Sequence, residues 1–91
     1  MLSSCVLSQN YPNPFNRVTV IEFIVTRDER VSLKILDTME REAAVPLEKK
    51  KYSPGKYLVR LDGMRLYGGV YFYALETSTG FGEVRKFVLL K

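Results

Sequence analysis

The chain has 91 residues, of which 46% are hydrophobic and 26% charged, and its formal net charge is +4. This composition is typical of a globular protein, and its hydrophobic content is too high for a disordered chain. The length suffices for one small core, so we predict a single domain over residues 1–91. Residues 1–5 are expected to be a flexible remnant of an upstream linker.

Several classes of function are disfavoured by composition. The chain has no histidine and one cysteine, Cys5, so Ser–His and Cys–His pairs, an intrachain disulfide and a Cys/His zinc cluster are all ruled out. We therefore expect no enzyme and no cofactor or metal. No apolar run approaches the ~20 residues of a membrane-spanning helix, so we expect no membrane insertion. Acidic and basic residues are interspersed, and we expect no nucleic-acid partner. We interpret Lys49-Lys50-Lys51 as a solvated turn.

The hydrophobic pattern has a period of two, which indicates strands with one buried face. Residues 70–77 are apolar on both faces, which favours a central strand or one whose outer aromatics are covered by a loop. Pro46 favours an edge position for the strand that contains it. The stronger predicted strands are 17–26, 31–35, 56–62, 70–77 and 84–90, and the weaker ones are 5–8 and 42–47.

Short polar connections separate these segments. Ser53-Pro54-Gly55 and Asp62-Gly63 are strong turn signals, because Pro presets φ and Gly accepts a positive φ. Further turns are predicted at 27–30, 37–40 and 79–82. Short strands at this spacing predict an all-β protein, an immunoglobulin-like antiparallel β-sandwich of about seven strands.

The segment from residue 10 to residue 16 reads Asn-Tyr-Pro-Asn-Pro-Phe-Asn. Pro12 and Pro14 forbid a helix and remove two backbone donors, while Asn10 and Asn13 can satisfy backbone groups with their side chains. We predict a rigid structural loop between the first two strands, anchored on the core by Phe15 and Tyr11.

The tyrosine-rich composition allows two interpretations. The aromatic side chains could form a platform that stacks on sugars or bases, or most of them could fill a small core. We favour the core, and we expect Tyr67 and Phe81, in predicted loops, to be the most exposed pair. A carbohydrate-binding or purely structural immunoglobulin-like module therefore remains an alternative function.

Three sets of residues in this order resemble a known family. They are the loop at 7–16, the alternating Val31, Leu33, Ile35 and Asp37, and a closing hairpin that runs Gly69-Val70-Tyr71-Phe72-Tyr73 and ends Arg85-Lys86-x-Val88-Leu89. The set is similar to the type A C-terminal sorting domain of type IX secretion cargo, from about residue 6 to residue 91. Similar motifs occur in the immunoglobulin-like domain of flagellar hook-capping proteins, which remains a competing interpretation.

The resemblance implies a non-catalytic tail of a larger exported protein in a Gram-negative bacterium. Its parent would carry a covalently linked upstream cargo domain, pass through the periplasm, and be secreted or displayed on the cell surface. The partners implied are the outer-membrane secretion machinery and, in many cargos, a sortase-like protease. We expect a monomer or a weak dimer.

The resemblance also implies that the closing hairpin is the recognised element, with Gly69, Val70, Tyr71, Lys86, Val88 and Leu89 as its residues. A terminal strand can be recognised through backbone pairing. The structural alternative is that Gly69 permits a turn while Val88 and Leu89 pack in the core. Three positions depart from the family pattern: Leu61 replaces Trp, Gly68 replaces Ser or Ala, and Glu40 replaces Gly. We expect the turn at Glu40 to avoid a positive φ or to take another form.

Overall fold

The computed structural model describes residues 5–91. Most of the predicted linker remnant lies outside this range, but Cys5 does not. Its side chain is 1% exposed and belongs to the core, so Cys5 is part of the domain rather than of a flexible linker.

Seven antiparallel strands form two sheets, which confirms the predicted β-sandwich. One sheet has the order β1-β2-β5 and the other the order β4-β3-β6-β7. A short 3₁₀ helix, Gly63–Arg65, precedes β6. The strands are β1 Cys5–Leu7, β2 Val18–Val25, β3 Glu29–Leu36, β4 Glu42–Tyr52, β5 Gly55–Asp62, β6 Gly69–Thr77 and β7 Gly82–Leu89.

The core lies between the sheets and is built from alternate residues of each strand, as the period of two predicts. Most aromatic side chains contribute to it, which confirms the interpretation that they fill the core. Phe87 stacks on Tyr71 with ring centroids 5.3 Å apart, and Phe23 lies 5.6 Å from Tyr57. The largest fully buried side chains are Tyr73, Phe23, Phe87, Leu7, Ile21, Leu33, Ile35, Leu75 and Leu89.

The position of β4 is partly as predicted. It forms the edge of its sheet, as Pro46 indicated. It is longer than predicted, however, and Lys49-Lys50-Lys51 lies within it rather than in a turn. Lys50 and Lys51 are register partners of Val31 and Arg30 on β3, so pairing with the neighbouring strand overrides the local preference of three lysines for a solvated turn.

The turn between β3 and β4 corrects the expectation for Glu40. The backbone of Glu40 has φ 62°, which is the left-handed conformation that glycine adopts most easily. Asp37 holds the turn: its Oδ1 accepts the N–H groups of Arg41 (2.9 Å) and Met39 (2.8 Å), and its Oδ2 accepts the Nε–H of Arg41 (2.9 Å). These hydrogen bonds, first that from the Arg41 N–H, lower the pKa of Asp37.

We predict that Glu40→Gly stabilises the domain. A left-handed conformation costs a non-glycine residue roughly 1–2 kcal/mol, and the added freedom of glycine in the unfolded chain offsets about 0.4–1 kcal/mol. The expected gain in the free energy of unfolding is therefore about 0.5–1 kcal/mol, measurable by urea denaturation. Glu42→Gly, at an exposed position with ordinary backbone angles, is the matched control and should destabilise. A loss of stability in Glu40→Gly would contradict the interpretation of this turn.

Candidate recognition surface

The loop between β1 and β2 crosses from one sheet to the free edge of the other. It starts beside β2, where the N–H of Tyr11 donates to the carbonyl of Val20 (3.0 Å) and the carbonyl of Tyr11 accepts the N–H of Val20 (3.0 Å). It then reaches β7, where Phe15 forms a bridge with Leu89. The peptide bonds before Pro12 and Pro14 are both cis. The predicted loop thus lies between β1 and β2 and contacts both sheets.

Buried polar groups hold the loop in place. Asn10 is 2% exposed, and its Nδ2 donates to Thr19 Oγ1 at 3.0 Å and to the carbonyl of Pro12 at 3.2 Å. The Oη of Tyr73 accepts the N–H of Asn10 and donates to the carbonyl of Ser8, both at 2.8 Å. Burial raises the pKa of Tyr73, so the hydroxyl keeps the proton that it donates.

The anchors of the loop differ in part from the prediction. Phe15 is buried, and its ring lies 5.2 Å from that of Phe87, as expected. Tyr11 was expected to be a second anchor, but its side chain is 81% exposed. The backbone of Tyr11 makes the contact with β2 instead, because its position beside Val20 continues the strand pairing and directs the ring toward solvent.

The same loop covers the free backbone edge of β7. Val88 donates its N–H to Asn13 Oδ1 at 3.0 Å and accepts the N–H of Phe15 at 3.0 Å. Leu90 donates to the carbonyl of Phe15 at 2.8 Å, and Gln9 Nε2 donates to the carbonyl of Lys86 at 2.8 Å. From the Lys86 carbonyl to the Leu90 N–H, this edge is therefore occupied, and an added partner strand would have to displace the loop.

The structure divides the six predicted recognition residues between two faces. Two of them face the core: Tyr71 is 7% exposed and Leu89 is 1% exposed. Tyr71 Oη donates to the carbonyl of Tyr67 at 2.6 Å, which is the tyrosine corner of immunoglobulin-like sandwiches. Leu89 packs closely against Gly63: a Cβ added at Gly63 would lie 2.9 Å from Cδ1 of Leu89. Both side chains therefore pack in the core.

Gly69 has a backbone role. Its φ is 147°, and an added Cβ would meet no atom within 4 Å. The glycine is thus required by the backbone conformation that starts β6, not by crowding.

The remaining three residues, Val70, Lys86 and Val88, lie on the outer face of the four-stranded sheet. Val70 is the direct cross-strand partner of Val88, and Phe72 is the partner of Lys86. We call these four residues the outer patch. The structural alternative for Val88 is wrong, because Val88 alternates with the buried Phe87 and Leu89 and so points away from the core.

The charge of Lys86 is not neutralised locally. None of the acidic side chains between residues 5 and 91 lies within ion-pair distance of its Nζ, whereas the adjacent Arg85 pairs with Glu83 at 3.0 Å and donates to the carbonyl of Leu7 at 2.9 Å. An exposed cation beside the apolar pair Val70 and Val88 suits a protein partner with an apolar and acidic surface. Sequence reasoning omitted Phe72, although its place in a strand that is apolar on both faces could have identified it.

The alternative stacking platform is not formed by the predicted pair. Tyr67 is 90% exposed and precedes β6, whereas Phe81 lies in the turn after β6 and packs partly against the core. The prediction of exposure is thus confirmed for Tyr67 and wrong for Phe81. The two rings lie at opposite ends of a nine-residue strand, so they cannot stack on one sugar.

In the part of the chain that the structure describes, no three of the Cys, Asp and Glu side chains are grouped as a metal site would need. Helices long and apolar enough to cross a membrane are likewise not found among residues 5–91.

The chain is thus an immunoglobulin-like β-sandwich with a loop docked between β1 and β2 and a closing hairpin formed by β6 and β7. A family model described as the secretion system C-terminal sorting domain matches residues 9–90. The chain therefore belongs to this family, the sorting domains of type IX secretion in Gram-negative bacteria. No curated protein and no solved structure matches the chain.

We predict that Tyr73→Phe destabilises the domain by about 1–3 kcal/mol, because it leaves the Asn10 N–H and the Ser8 carbonyl without a partner in a buried site. Chemical denaturation measures the change. Tyr67→Phe is the matched control, since its ring is exposed and its hydroxyl makes no hydrogen bond with residues 5–91, and it should be neutral. Equal stability of Tyr73→Phe and the parent chain would show that the loop does not depend on this hydroxyl.

Proposed function

We propose that this chain is a non-catalytic export signal that directs an upstream cargo domain across the outer membrane. The outer-membrane machinery recognises the folded domain through the outer patch. Secretion or surface display follows, and a sortase-like protease then separates tail from cargo. Membership of the sorting-domain family supports the role, and the pairing of Val70 with Val88 on an exposed sheet face supports the site.

The covered edge of β7 favours recognition through side chains. Strand addition requires free backbone groups along an edge, and the loop occupies those from Lys86 to Leu90. The side chains of the outer patch stay accessible while the loop is docked, with Val70 39% exposed. The machinery can thus bind the folded domain without displacing the loop between β1 and β2.

Truncation is a poor test of this proposal. Deleting residues 85–91 would remove Phe87 and Leu89, both fully buried. Loss of two such side chains costs several kcal/mol, which is a large share of the stability of a small domain. A failure of export would then report unfolding, so surface substitutions are the sharper test.

We expect Val70→Ser combined with Val88→Ser, and separately Lys86→Gln, to reduce surface display of a fused reporter about tenfold, which corresponds to roughly 1.4 kcal/mol of recognition energy. Exposed substitutions of this kind usually change stability by about 0.5 kcal/mol each, and thermal melting of each variant verifies that it folds. Leu58→Ser and Arg60→Gln, exposed on the other sheet, are the matched controls. The assay compares hosts with and without the translocon.

The result that contradicts the outer patch is full display of folded patch variants. Display of the parent fusion in the host without the translocon would contradict the export role itself. The two failures are therefore distinguishable.

Asn13→Ala separates recognition through the face from recognition through the edge. The change removes the acceptor for the Val88 N–H and opens this part of the β7 edge, at a cost of about 0.5–1.5 kcal/mol. If the machinery recognises the outer face of the sheet, surface display of the Asn13→Ala variant should equal that of the parent or be lower. A display level above that of the parent would instead show that the machinery pairs with β7, and quantitative surface labelling measures the difference.

A further inference from the structure

A groove of about 430 Å³ lies on the outer face of the four-stranded sheet, at the end away from the outer patch. Arg30 and Ser32 of β3 line its floor, Lys49 of β4 lines one wall, and the turn from Ser78 to Gly82 lines the other. Export through the outer patch does not involve these residues, so the groove is separate from the proposed function.

A β-bulge directs Lys49 into this groove. The register of β3 and β4 shifts between Val31 and Leu33, so that β4 has one extra residue opposite Ser32. Lys49 has φ 48°, and its N–H donates to Ser32 Oγ at 2.9 Å instead of joining the strand pairing. Bulges of this kind commonly redirect a side chain beside a binding site. The left-handed backbone conformation at Lys49 is unfavourable for a residue with a side chain.

Positive charge gathers at one end of the groove. Arg30 and Lys51 are direct cross-strand partners, an arrangement of like charges that weakens a sheet. Neither they nor Lys49 form an ion pair with the acidic residues between 5 and 91. Glu48 also lines the groove and offsets one of these three charges, so this group of four side chains still carries a net positive charge.

The other end of the groove is neutralised. Lys34 pairs there with Glu76 at 3.4 Å and with Glu42 at 3.7 Å. A polyanion such as a nucleic acid needs cations along its whole path, and the carboxylates at this end would repel a second negative group. The charge distribution therefore fits a ligand with one acidic group at one end.

The turn wall is held by hydrogen bonds to Glu29 and is open to a ligand. Glu29 is 3% exposed, and its carboxylate accepts hydrogen bonds from Ser78 Oγ (3.0 Å) and Thr79 Oγ1. A Cβ at Gly80 or Gly82 would meet no atom within 4 Å, so a ligand can approach this backbone closely. The half-buried ring of Phe81 lies between the two glycines and lines the groove.

We propose that this groove binds an acidic oligosaccharide. Its carboxylate lies between Arg30 and Lys49, where two cations without local partners give charge-assisted hydrogen bonds. Its neutral sugar rings extend past Phe81, whose ring offers an apolar face for stacking. The groove is thus a second binding site on the domain, with a ligand class unrelated to the export machinery.

The test is an amide NMR titration of the 91-residue chain with sialyllactose, which has one terminal carboxylate, and with lactose, its neutral counterpart. We expect saturable shifts at Ser78, Gly80 and Gly82 with sialyllactose alone, with a dissociation constant in the millimolar range or below. Arg30→Gln and Lys49→Gln should each weaken binding about five-fold or more, while Arg65→Gln, an exposed cation elsewhere, should not.

Three results of the sialyllactose titration overturn the proposal. They are no saturable shift at millimolar sialyllactose, shifts that map outside the groove, and unchanged affinity in both groove variants. Inorganic phosphate is titrated in parallel. Equal shifts and affinity with phosphate would reduce the site to a simple anion site and overturn the saccharide assignment.

A second variant, Lys49→Gly, tests whether the bulge serves binding rather than folding. Glycine relieves the left-handed backbone, so we expect the melting temperature to rise by about 2–5 °C while the affinity for sialyllactose falls. Undiminished affinity in this more stable variant would exclude Lys49 from the site.

Discussion

The closure of the β7 edge by the loop between β1 and β2 is the interaction on which the described structure most depends. An edge strand offers unpaired backbone groups to any passing strand, and β7 is the last strand of its sheet. The Asn13 side chain and the Phe15 backbone occupy that edge, with Asn13 and Val88 separated by 75 positions in the chain. Tyr73, buried in the core, holds the loop from beneath through Ser8 and Asn10. The beginning and the end of the domain therefore form one rigid unit.

This closure separates the two ways in which a terminal hairpin could be recognised. From the Lys86 carbonyl to the Leu90 N–H, the outer backbone edge of β7 is hydrogen-bonded within the domain. Beside this part of the strand, the outward side chains around Val70 and Val88 remain available. The inward residues of the same hairpin, Tyr71 and Leu89, determine where those side chains lie, because they pack the hairpin onto the core. A short motif can then contain both structural and recognition residues, alternating with the period of the strand.

The outer face of the four-stranded sheet also combines two kinds of surface. Near Val70 it is apolar with one cation, and near Arg30 it is a groove with several cations and a rigid turn. These surfaces are separated along β6, whose Gly69 and Thr77 mark the two ends. Both surfaces are compatible with a single small core, because each is built from side chains that point away from that core.

The sequence by itself determined the strands except for the length of β4, the edge position of β4 and the family. Alternation with a period of two and proline and glycine signals are local properties, and the family follows from an ordered set of motifs. It also identified the loop, since two prolines and three asparagines leave few conformations. Only the tertiary structure decided which hairpin residues face outward, that the loop covers β7, that Tyr11 is exposed and that Lys49 enters a groove. These four features depend on contacts between residues distant in sequence and on a bulge set by strand register. Local sequence patterns do not predict such contacts or the position of the bulge. The backbone of Glu40 was likewise not predictable from local sequence. Pairing of β3 with β4 imposes a left-handed conformation there, although that conformation is unfavourable for a non-glycine residue.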